Sequence, residues 1–448
     1  MSVSGRTMFF SKRGVITRTQ FAANLQAFRK KLSGASLVCN LQDDRYEFSL
    51  GLAAAMLNGQ ISVLPSSDAP EAILASIGHS ADAVILGGPS SLDGGAKRIT
   101  TVEFNSKEID SSEIFALLEN TRTEIRVFSS GSTRRPECNV KTWETLSGGA
   151  YVTDYILRKL GFDAEKTIVI GTTPHRHMFG LEATIFATLG FGYCCYQDTV
   201  FYPADLEIAV EAARSQGFTN LVLITSPAHL RFLETTILDA PEICCVISAT
   251  APLPLVQAER LEAHGDRQVM EIYGSTETGS MAIRRTAYES TWQPVAGFAL
   301  KMVSGECLVT APHLPATLPL GDEVEIGTDG KFILLGRTDD MIGIHGKRGR
   351  VSALNSILIE APGILDAIYL HSKHQDDDML AIVAVADPSL GLSNKEIIAS
   401  IRRHLLRHVD SVFVPKRIIF LDTIPRSETG KVTNETMRKL ASLAGISN

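Results

Sequence analysis

Residues 35–64 read ASLVCNLQDDRYEFSLGLAAAMLNGQISVL. Ala35–Asn40 is a short aliphatic run and predicts a buried strand. Asp44–Leu57 has an acidic start and Gly59 just past its end, which predicts a helix. Ile61–Leu64 predicts a second strand. Strand, helix, strand in so short a stretch is the unit from which parallel sheets with covered faces are built. Outward from it the rhythm continues. A helix is predicted over Ala69–Ile77, after Ser66-Ser67-Asp68, and a third strand over Ala83–Leu86. Further on, Thr167–Gly171, Asn220–Ile224, Cys244–Ser248 and Gln268–Tyr273 read as strands. Leu206–Gln216, with Asp205 as its N-cap, and His229–Leu238 read as helices. In open α/β sheets ligands gather beyond the carboxyl ends of strands, and several Gly/Ser/Thr turns fall at such ends here.

After about residue 285 the texture changes. Phe298–Val303 and Glu306–Thr310 alternate as antiparallel strands do, and Lys331–Leu335 is another short strand. A polar Gly336-Arg337-Thr338-Asp339-Asp340 turn follows. Beyond it come a helix near Val351–Glu360, strands at Ala367–Leu370 and Leu380–Val385, a helix over Asn394–His408 and a strand over Arg417–Phe420. A boundary at 337–340 divides the chain into a large domain, 1–336, and a small one, 341–448, of about 110 residues, an ordinary domain size.

Bulk properties exclude some classes. At 448 residues the chain exceeds one ordinary core. Its net charge of -7 argues against a nucleic-acid partner, because phosphate neutralisation needs a basic surface. The seven cysteines are odd in number and none has C-x-x-C spacing, so buried thiols in a reducing compartment are expected. The N-terminal MSVSGRTMFFSKRG lacks a signal peptide's apolar core. Apolar stretches such as Leu50–Leu57 are too short to span a membrane, which takes roughly 20 residues. A soluble, cytoplasmic protein without a membrane span is the expectation.

Four segments carry candidate chemistry. Phe128-Ser129-Ser130-Gly131-Ser132-Thr133-Arg134-Arg135-Pro136 follows a β-like run, Glu124–Phe128, and offers N–H groups and hydroxyls to a phosphate. It is not a Walker loop, and by itself it is equally an ordinary polar loop. In Glu271-Ile272-Tyr273-Gly274-Ser275-Thr276-Glu277-Thr278-Gly279, Tyr273 can stack on a base and Gly274 admits a ligand to the backbone. Thr276 can donate to an oxyanion and Glu277 can hold Mg2+; a strand-to-turn junction with an exposed Glu is the bland alternative. Gly321-Asp322 and Arg337 could take ribose hydroxyls and phosphate, or be surface charges on two loops. In Ile424-Pro425-Arg426-Ser427-Glu428-Thr429-Gly430-Lys431-Val432 a lysine follows a flexible glycine, which suits a mobile positive charge meeting a developing negative one. Alone, it reads as a solvated lysine.

Together, in order and spacing, these segments resemble the adenylate-forming superfamily of acyl- and aryl-CoA synthetases, luciferases and peptide-synthetase adenylation domains. Thr173-Pro174-His175-Arg176-His177-Met178-Phe179-Gly180 resembles the family's acid-pocket segment. Ser248-Ala249-Thr250-Ala251-Pro252-Leu253 resembles the segment flanking adenine and the acyl group. The resemblance runs from about residue 40 onward. It implies a large N-terminal domain of two α/β sheets plus a distorted β-barrel, and a small mobile α+β C-terminal domain beyond a hinge at Asp339. It implies a ligase that uses ATP and Mg2+ to form an acyl-AMP, then transfers the acyl group to CoA or to the phosphopantetheine of a carrier protein. Ser129, Ser130, Gly131, Ser132 and Thr133 would hold phosphates. Thr250, Ala251, Tyr273, Gly274 and Ser275 would line the nucleotide site. Asp322 and Arg337 would hold the ribose, Glu277 the metal and Thr276 the α-phosphate. His177 would sit beside the carboxylate, and Lys431 would bridge carboxylate and phosphate during adenylation. The face around Ile344–Arg350 would receive the thiol after the small domain rotates.

There are departures from the family pattern. Where the family reads Gly-x-Pro-Lys, this chain has Arg134, Arg135, Pro136 and Glu137, so a lysine is lost; either pyrophosphate handling is weakened or Arg134 and Arg135 supply the charge. Ile342-Gly343 replaces Ile-Lys, and Gly349-Arg350-Val351-Ser352-Ala353 replaces a Glu-rich stretch. His345, Lys347, Arg348 and Arg350, with Arg402, Arg403 and Arg407, suit CoA or an acidic carrier protein, or form a solvated face. The resemblance extends to short, divergent members of the family that load an aromatic acid onto a carrier, although the sequence does not name the acid. The substituted phosphate loop motivates a second reading, a non-catalytic homologue that binds nucleotide or acyl ligand as a regulator. Pyrophosphate release with a panel of acids separates the two.

Overall fold

The structure is a computed structural model. It describes residues 5–78, 80, 82–88, 97–99, 110–129, 137–263, 265–295, 297–337, 340–344, 347–372, 379–426 and 432–446, with the backbone alone at 97, 98, 337 and 434. The chain forms two compact units. The first holds 1–253, 258–299 and 310–318, and the second holds 254–257, 300–309 and 319–448. The fold is mixed α/β, as expected. The units are discontinuous in sequence, and the last crossing between them falls at 318/319.

Two sheets organise the first unit. One has nine strands in the order Gln293–Pro294, Gly279–Arg284, Gln268–Ser275, Ile243–Ser248, Asn220–Thr225, Thr167–Gly171, Cys194–Tyr196, Thr7–Ser11, Gly14–Thr17. Its interior pairs are parallel and its outer pairs antiparallel. The other has six strands in the order Lys97–Ile99, Val84–Gly87, Leu37–Leu41, Ile61–Leu64, Ile125–Ser129, Glu137–Lys141. It is parallel except for its last hairpin.

Side-chain alternation explains why the nine-stranded sheet is apolar throughout. Ile168, Ile170, Leu221 and Leu223 enter one core with the helices Pro203–Ser215 and Pro227–Leu238. Val169, Val222 and Ile224 enter a second core, with Trp143–Lys159 and the 178–191 helical segment. A parallel sheet buried on both faces requires this. A third core contains residues of both sheets, with Phe21, Leu25 and most of the helix Arg45–Leu57. That helix is buried almost all round, and its N-cap Asp44 accepts from the Glu47 N–H at 2.9 Å.

Two expectations need correction. Asp205 is not an N-cap. Pro203, whose fixed φ suits the first helical position, starts the helix three residues before the expected Leu206. Asp205 lies inside the first turn and reaches back to the Phe201 and Tyr202 N–H groups at 3.1 and 2.9 Å. Nor are all the thiols buried, since Cys138 is exposed on the edge strand Glu137–Lys141.

Ala299–Val303, Glu306–Thr310 and Leu318–Pro319 form a three-stranded sheet, and the sheets that follow it in sequence lie in the second unit. Asp322–Ile326 pairs antiparallel with Phe332–Arg337, and Met341–Ile344 with Lys347–Arg350. These small sheets occupy the region where a distorted barrel was expected. Beyond them Ile364–Ser372, Met379–Ala386 and Arg417–Phe420 form a sheet. The helices Val351–Leu358 and Asn394–His408 share a core with one face and Asn434–Leu443 with the other. Among the described residues no helix is long and apolar enough to cross a membrane.

Candidate functional site

The nine-stranded sheet reverses its order at Thr167–Gly171. From that strand the chain adds Cys194–Tyr196 on one side and Asn220–Thr225 on the other. The carboxyl end of a strand at such a reversal is where open α/β sheets bind ligands. Here Thr172 donates its hydroxyl to Thr225 Oγ1 at 2.8 Å and lies 3.0 Å from His229 Nδ1. The acid-pocket segment follows at once. His177 caps the short helix Met178–Gly180, which continues as a π-helical turn, Leu181–Phe186, a geometry frequent at functional sites. The neighbouring His175 is structural: it is buried, edge-on to Phe48, with Nε2 2.8 Å from the Gln42 carbonyl. Burial and the nearby Arg45 hold its pKa well below the usual range.

Beyond the end of Ile243–Ser248, Thr250 has a φ of 78°, which a β-branched residue rarely adopts. Thr250 is half-buried and Ala251 exposed. Strand Gln268–Ser275 ends in the metal-site candidate. Ser275 Oγ accepts from the Glu277 and Thr278 N–H groups, each at 3.2 Å, and the Ser275 N–H donates to Thr278 Oγ1 at 3.2 Å. Gly274 is obligatory, because a Cβ there would lie 2.1 Å from the Gly279 carbonyl oxygen. Tyr273 packs on Trp292, ring centres 5.5 Å apart. The turn presents Thr276 half-buried and Glu277 exposed. The Glu277 carboxylate makes no hydrogen bond or ion pair that would compete for a cation among the described residues. Those residues hold no cluster of three or more metal-ligating side chains. One accessible carboxylate on a fixed backbone fits Mg2+, which takes its remaining ligands from phosphate and water.

Ser129 ends the strand Ile125–Ser129, opposite Glu137. Ser130, Gly131, Ser132 and Thr133, with Arg134 and Arg135, lie outside the described residues, as do Asp339, His345 and Lys431. In the second unit Asp322 and Arg337 stand directly opposite each other across an antiparallel pair. The fold thus brings together two residues fifteen apart in sequence. Of the basic residues near 344–350, Lys347 pairs with Asp410 and Arg350 with Glu323. Arg402 donates to the Lys416 carbonyl at 2.8 Å, while Arg348, Arg403 and Arg407 are exposed. The cationic face is therefore smaller than the sequence suggests.

Two charged residues at this site were missed in the sequence. Lys141, the last residue of Glu137–Lys141, is buried, and its ammonium donates to the Glu277 carbonyl at 2.7 Å. Glu182, on the π-helical turn, is 1% exposed. Its Oε2 accepts from the Ser280 N–H at 2.9 Å and from the Ser280 hydroxyl at 2.7 Å. Burial pushes its carboxyl up to about 7 against the pull of Ser280 and Lys141. Burial lowers the Lys141 pKa, with Glu182 and Glu277 opposing. The available signal was a Glu inside the apolar run 181–191.

A profile of the family described as "AMP-binding enzyme" matches residues 52–306. A protein named 4-coumarate–CoA ligase from Cereibacter sphaeroides is 29% identical over 174 residues, 38% of this chain and 39% of the relative. Another of that name, from Rhodobacter capsulatus, is 27% identical over 321 residues, 70% of this chain and 76% of the relative. The chain thus spans well under two thirds of the first relative's length. The crystal structure of ATP-bound MatB from Rhodopseudomonas palustris superposes with a TM-score of 0.77 at 17% identity, covering 98% of this chain and 97% of that one. At that identity the likeness speaks to the fold.

Proposed function

The chain belongs to the AMP-binding enzyme family, and from that premise we propose that it is a ligase that activates a carboxylic acid with ATP and passes the acyl group to a thiol. The observation that carries this reading is the Ser275–Gly279 turn, which holds its backbone by internal hydrogen bonds and turns the Glu277 carboxylate outward. Mg2+, when bound, screens the repulsion between two anions and stabilises the charge of an in-line displacement. Glu277 would hold it. Ser129, with 130–133, would cradle the phosphates, and Thr276 would donate to the α-phosphate. Thr250, Ala251 and Tyr273 would flank the adenine, and Asp322 and Arg337 would take the ribose hydroxyls. The substrate carboxylate, oriented by His177, attacks the α-phosphorus as the bond to pyrophosphate breaks, with Lys431 across the two negative groups. A thiolate then attacks the acyl carbon, and AMP leaves. The thiol is that of CoA or of the phosphopantetheine on an acidic carrier protein, met by the exposed Arg348, Arg403 and Arg407. Relatives named for 4-coumarate favour an aromatic acid. Its thiols, mostly buried, suit the reducing cytoplasm.

Hydroxamate formation from a panel of aryl and acyl acids, run with ATP·Mg2+ and with or without CoA, tests the activity. In the same assay Lys431→Ala is expected to lose acyl-AMP formation while converting a synthetic acyl-AMP to thioester at close to the parent rate. Equal loss of both steps would remove Lys431 from adenylation, and absence of hydroxamate with every acid would remove the ligase reading.

A further inference from the structure

We propose that Lys141 and Glu182 are positioning residues that hold the Ser275–Ser280 turn at Glu277 and at Ser280, and so set where the Glu277 carboxylate meets magnesium-bound nucleotide. The proposal rests on the ligase reading above and adds two residues to it.

The clamp grips the turn by its backbone. Lys141 donates to the carbonyl of Glu277, not to its carboxylate, so the metal-facing group stays exposed while the peptide behind it is fixed. Glu182 takes both donors of Ser280, immediately past Gly279, at 2.9 and 2.7 Å. Within the turn Ser275 and Thr278 hydrogen-bond to each other and close it on itself. Few backbone freedoms are left to residues 276–279.

The origin of the two side chains gives the clamp its meaning. Lys141 ends the strand Glu137–Lys141, which pairs antiparallel with Ile125–Ser129, and the residues between those strands in sequence, 130–136, would cradle the phosphates. Glu182 lies five residues after His177, on the helical turn that continues the acid-pocket segment. The three segments that would contact triphosphate, acid and metal are therefore joined at this turn by two buried side chains, Lys141 through the Glu277 carbonyl and Glu182 through Ser280. Each charge favours the ionised form of the other.

Packing alone does not explain the pair. Lysine and glutamate are almost never buried without a partner, and apolar residues of similar volume usually serve stability as well or better. The surroundings are also shaped to admit the carboxyl. A Cβ at Gly149 would lie 2.0 Å from Glu182 Oε1, and one at Gly279, where φ is 71°, would lie 2.4 Å from it. Two glycines leave room for one oxygen, and that oxygen accepts no hydrogen bond among the described residues.

Calorimetric titration of the full chain with ATP, once with Mg2+ and once in EDTA, tests this without relying on turnover. The quantity read is the gain in affinity that Mg2+ confers. Lys141→Met removes a charged donor and is expected to shrink that gain roughly tenfold, leaving metal-free ATP within about twofold of the parent. Glu182→Gln keeps the shape and one acceptor, and is expected to shrink the gain about threefold. Thermal melting confirms that each variant is folded. If Lys141→Met does not fold, the near-isosteric Glu182→Gln decides alone. A folded variant with the parent's magnesium gain, or one that loses both affinities equally, overturns the clamp. A parent that binds no ATP under either condition overturns the ligase reading itself, so the two failures are distinguishable.

Discussion

Glu182 is a carboxyl with one oxygen doubly hydrogen-bonded and the other facing the space left by two glycines, and its protonation is readable in stability. Its folded pKa, about 7, lies above the roughly 4.3 of an unfolded glutamate. The folded chain therefore holds the extra proton between those values. Its contribution is complete below about 4.3 and is lost as pH rises through about 7. Glu182→Gln, which cannot ionise, escapes that loss. Unfolding free energies of variant and parent should diverge in the variant's favour between about pH 4.5 and 7.5, by about 3 kcal/mol, and run parallel above. Curves parallel throughout would show that Glu182 does not titrate in this window. His175, His229 and His313 are shifted the other way, downward by burial, so their contribution is lost as pH falls below about 6.5. They are common to both proteins and cancel in the difference. At this scale the sequence was legible where chemistry sits on turns. The strand Gln268–Ser275 does end at Gly274 and Ser275, and Thr276 and Glu277 follow in the turn. Lys141 and Glu182 were not legible, because a lone charge at a strand end or in an apolar helix does not show whether it is solvated or buried.

The helix Trp143–Lys159 carries Gly148 and Gly149 in its interior, each costing about 1 kcal/mol relative to Ala. On propensity alone, alanine at either position would stabilise the protein. The tertiary surroundings reverse the sign. A Cβ at 149 meets Glu182 Oε1, and one at 148 would lie 2.2 Å from the ring of His313, itself edge-on to Phe298. Gly149→Ala and Gly148→Ala should each lower stability by about 2 kcal/mol, the cost of overpacking less the propensity gain. A urea midpoint at or above the parent's would mean that both side chains move aside freely. The same conflict hid this helix in the sequence, since two glycines in a row break a propensity reading. Its start is marked by a reciprocal Thr142–Thr145 cap and its length is held by burial. By contrast Ile61–Leu64, Thr167–Gly171, Glu306–Thr310, Asn394–His408 and Arg417–Phe420 have the bounds read from pattern alone. In those segments periodicity, caps and burial agree.

For the molecule as a whole, the α/β architecture was legible because strands and helices alternate along most of the chain. Contacts assign 319–336 to the second unit, while the proposed boundary at 337–340 rests on the polar turn that follows them. Beyond 340 the chain has cores of its own on both faces of its sheet, including Ile342, Leu354, Tyr369, Ile401 and Phe413 on one face and Leu370, Val383 and Leu440 on the other. A fragment of 341–448 is expected to melt cooperatively with helical circular dichroism, which would support the proposed hinge at 337–340. A fragment that is unfolded alone but cooperative when begun at 319 would move the boundary to where the contacts put it. One feature of the nine-stranded sheet bears on how the protein is made. Thr7–Ser11 pairs in parallel with Cys194–Tyr196, Phe9 beside Cys195 and Phe10 beside Tyr196. At a synthesis rate of ~5–20 residues per second, that partner reaches the ribosome roughly 10–40 s after the first strand. Until then Met8, Phe9 and Phe10, all buried in the finished protein, have one edge covered only by the hairpin to Gly14–Thr17 and the other open. A nascent chain with an apolar edge exposed for that long invites chaperone capture. Expression yield should then depend more on elongation rate and chaperone supply than on the stability of the folded protein.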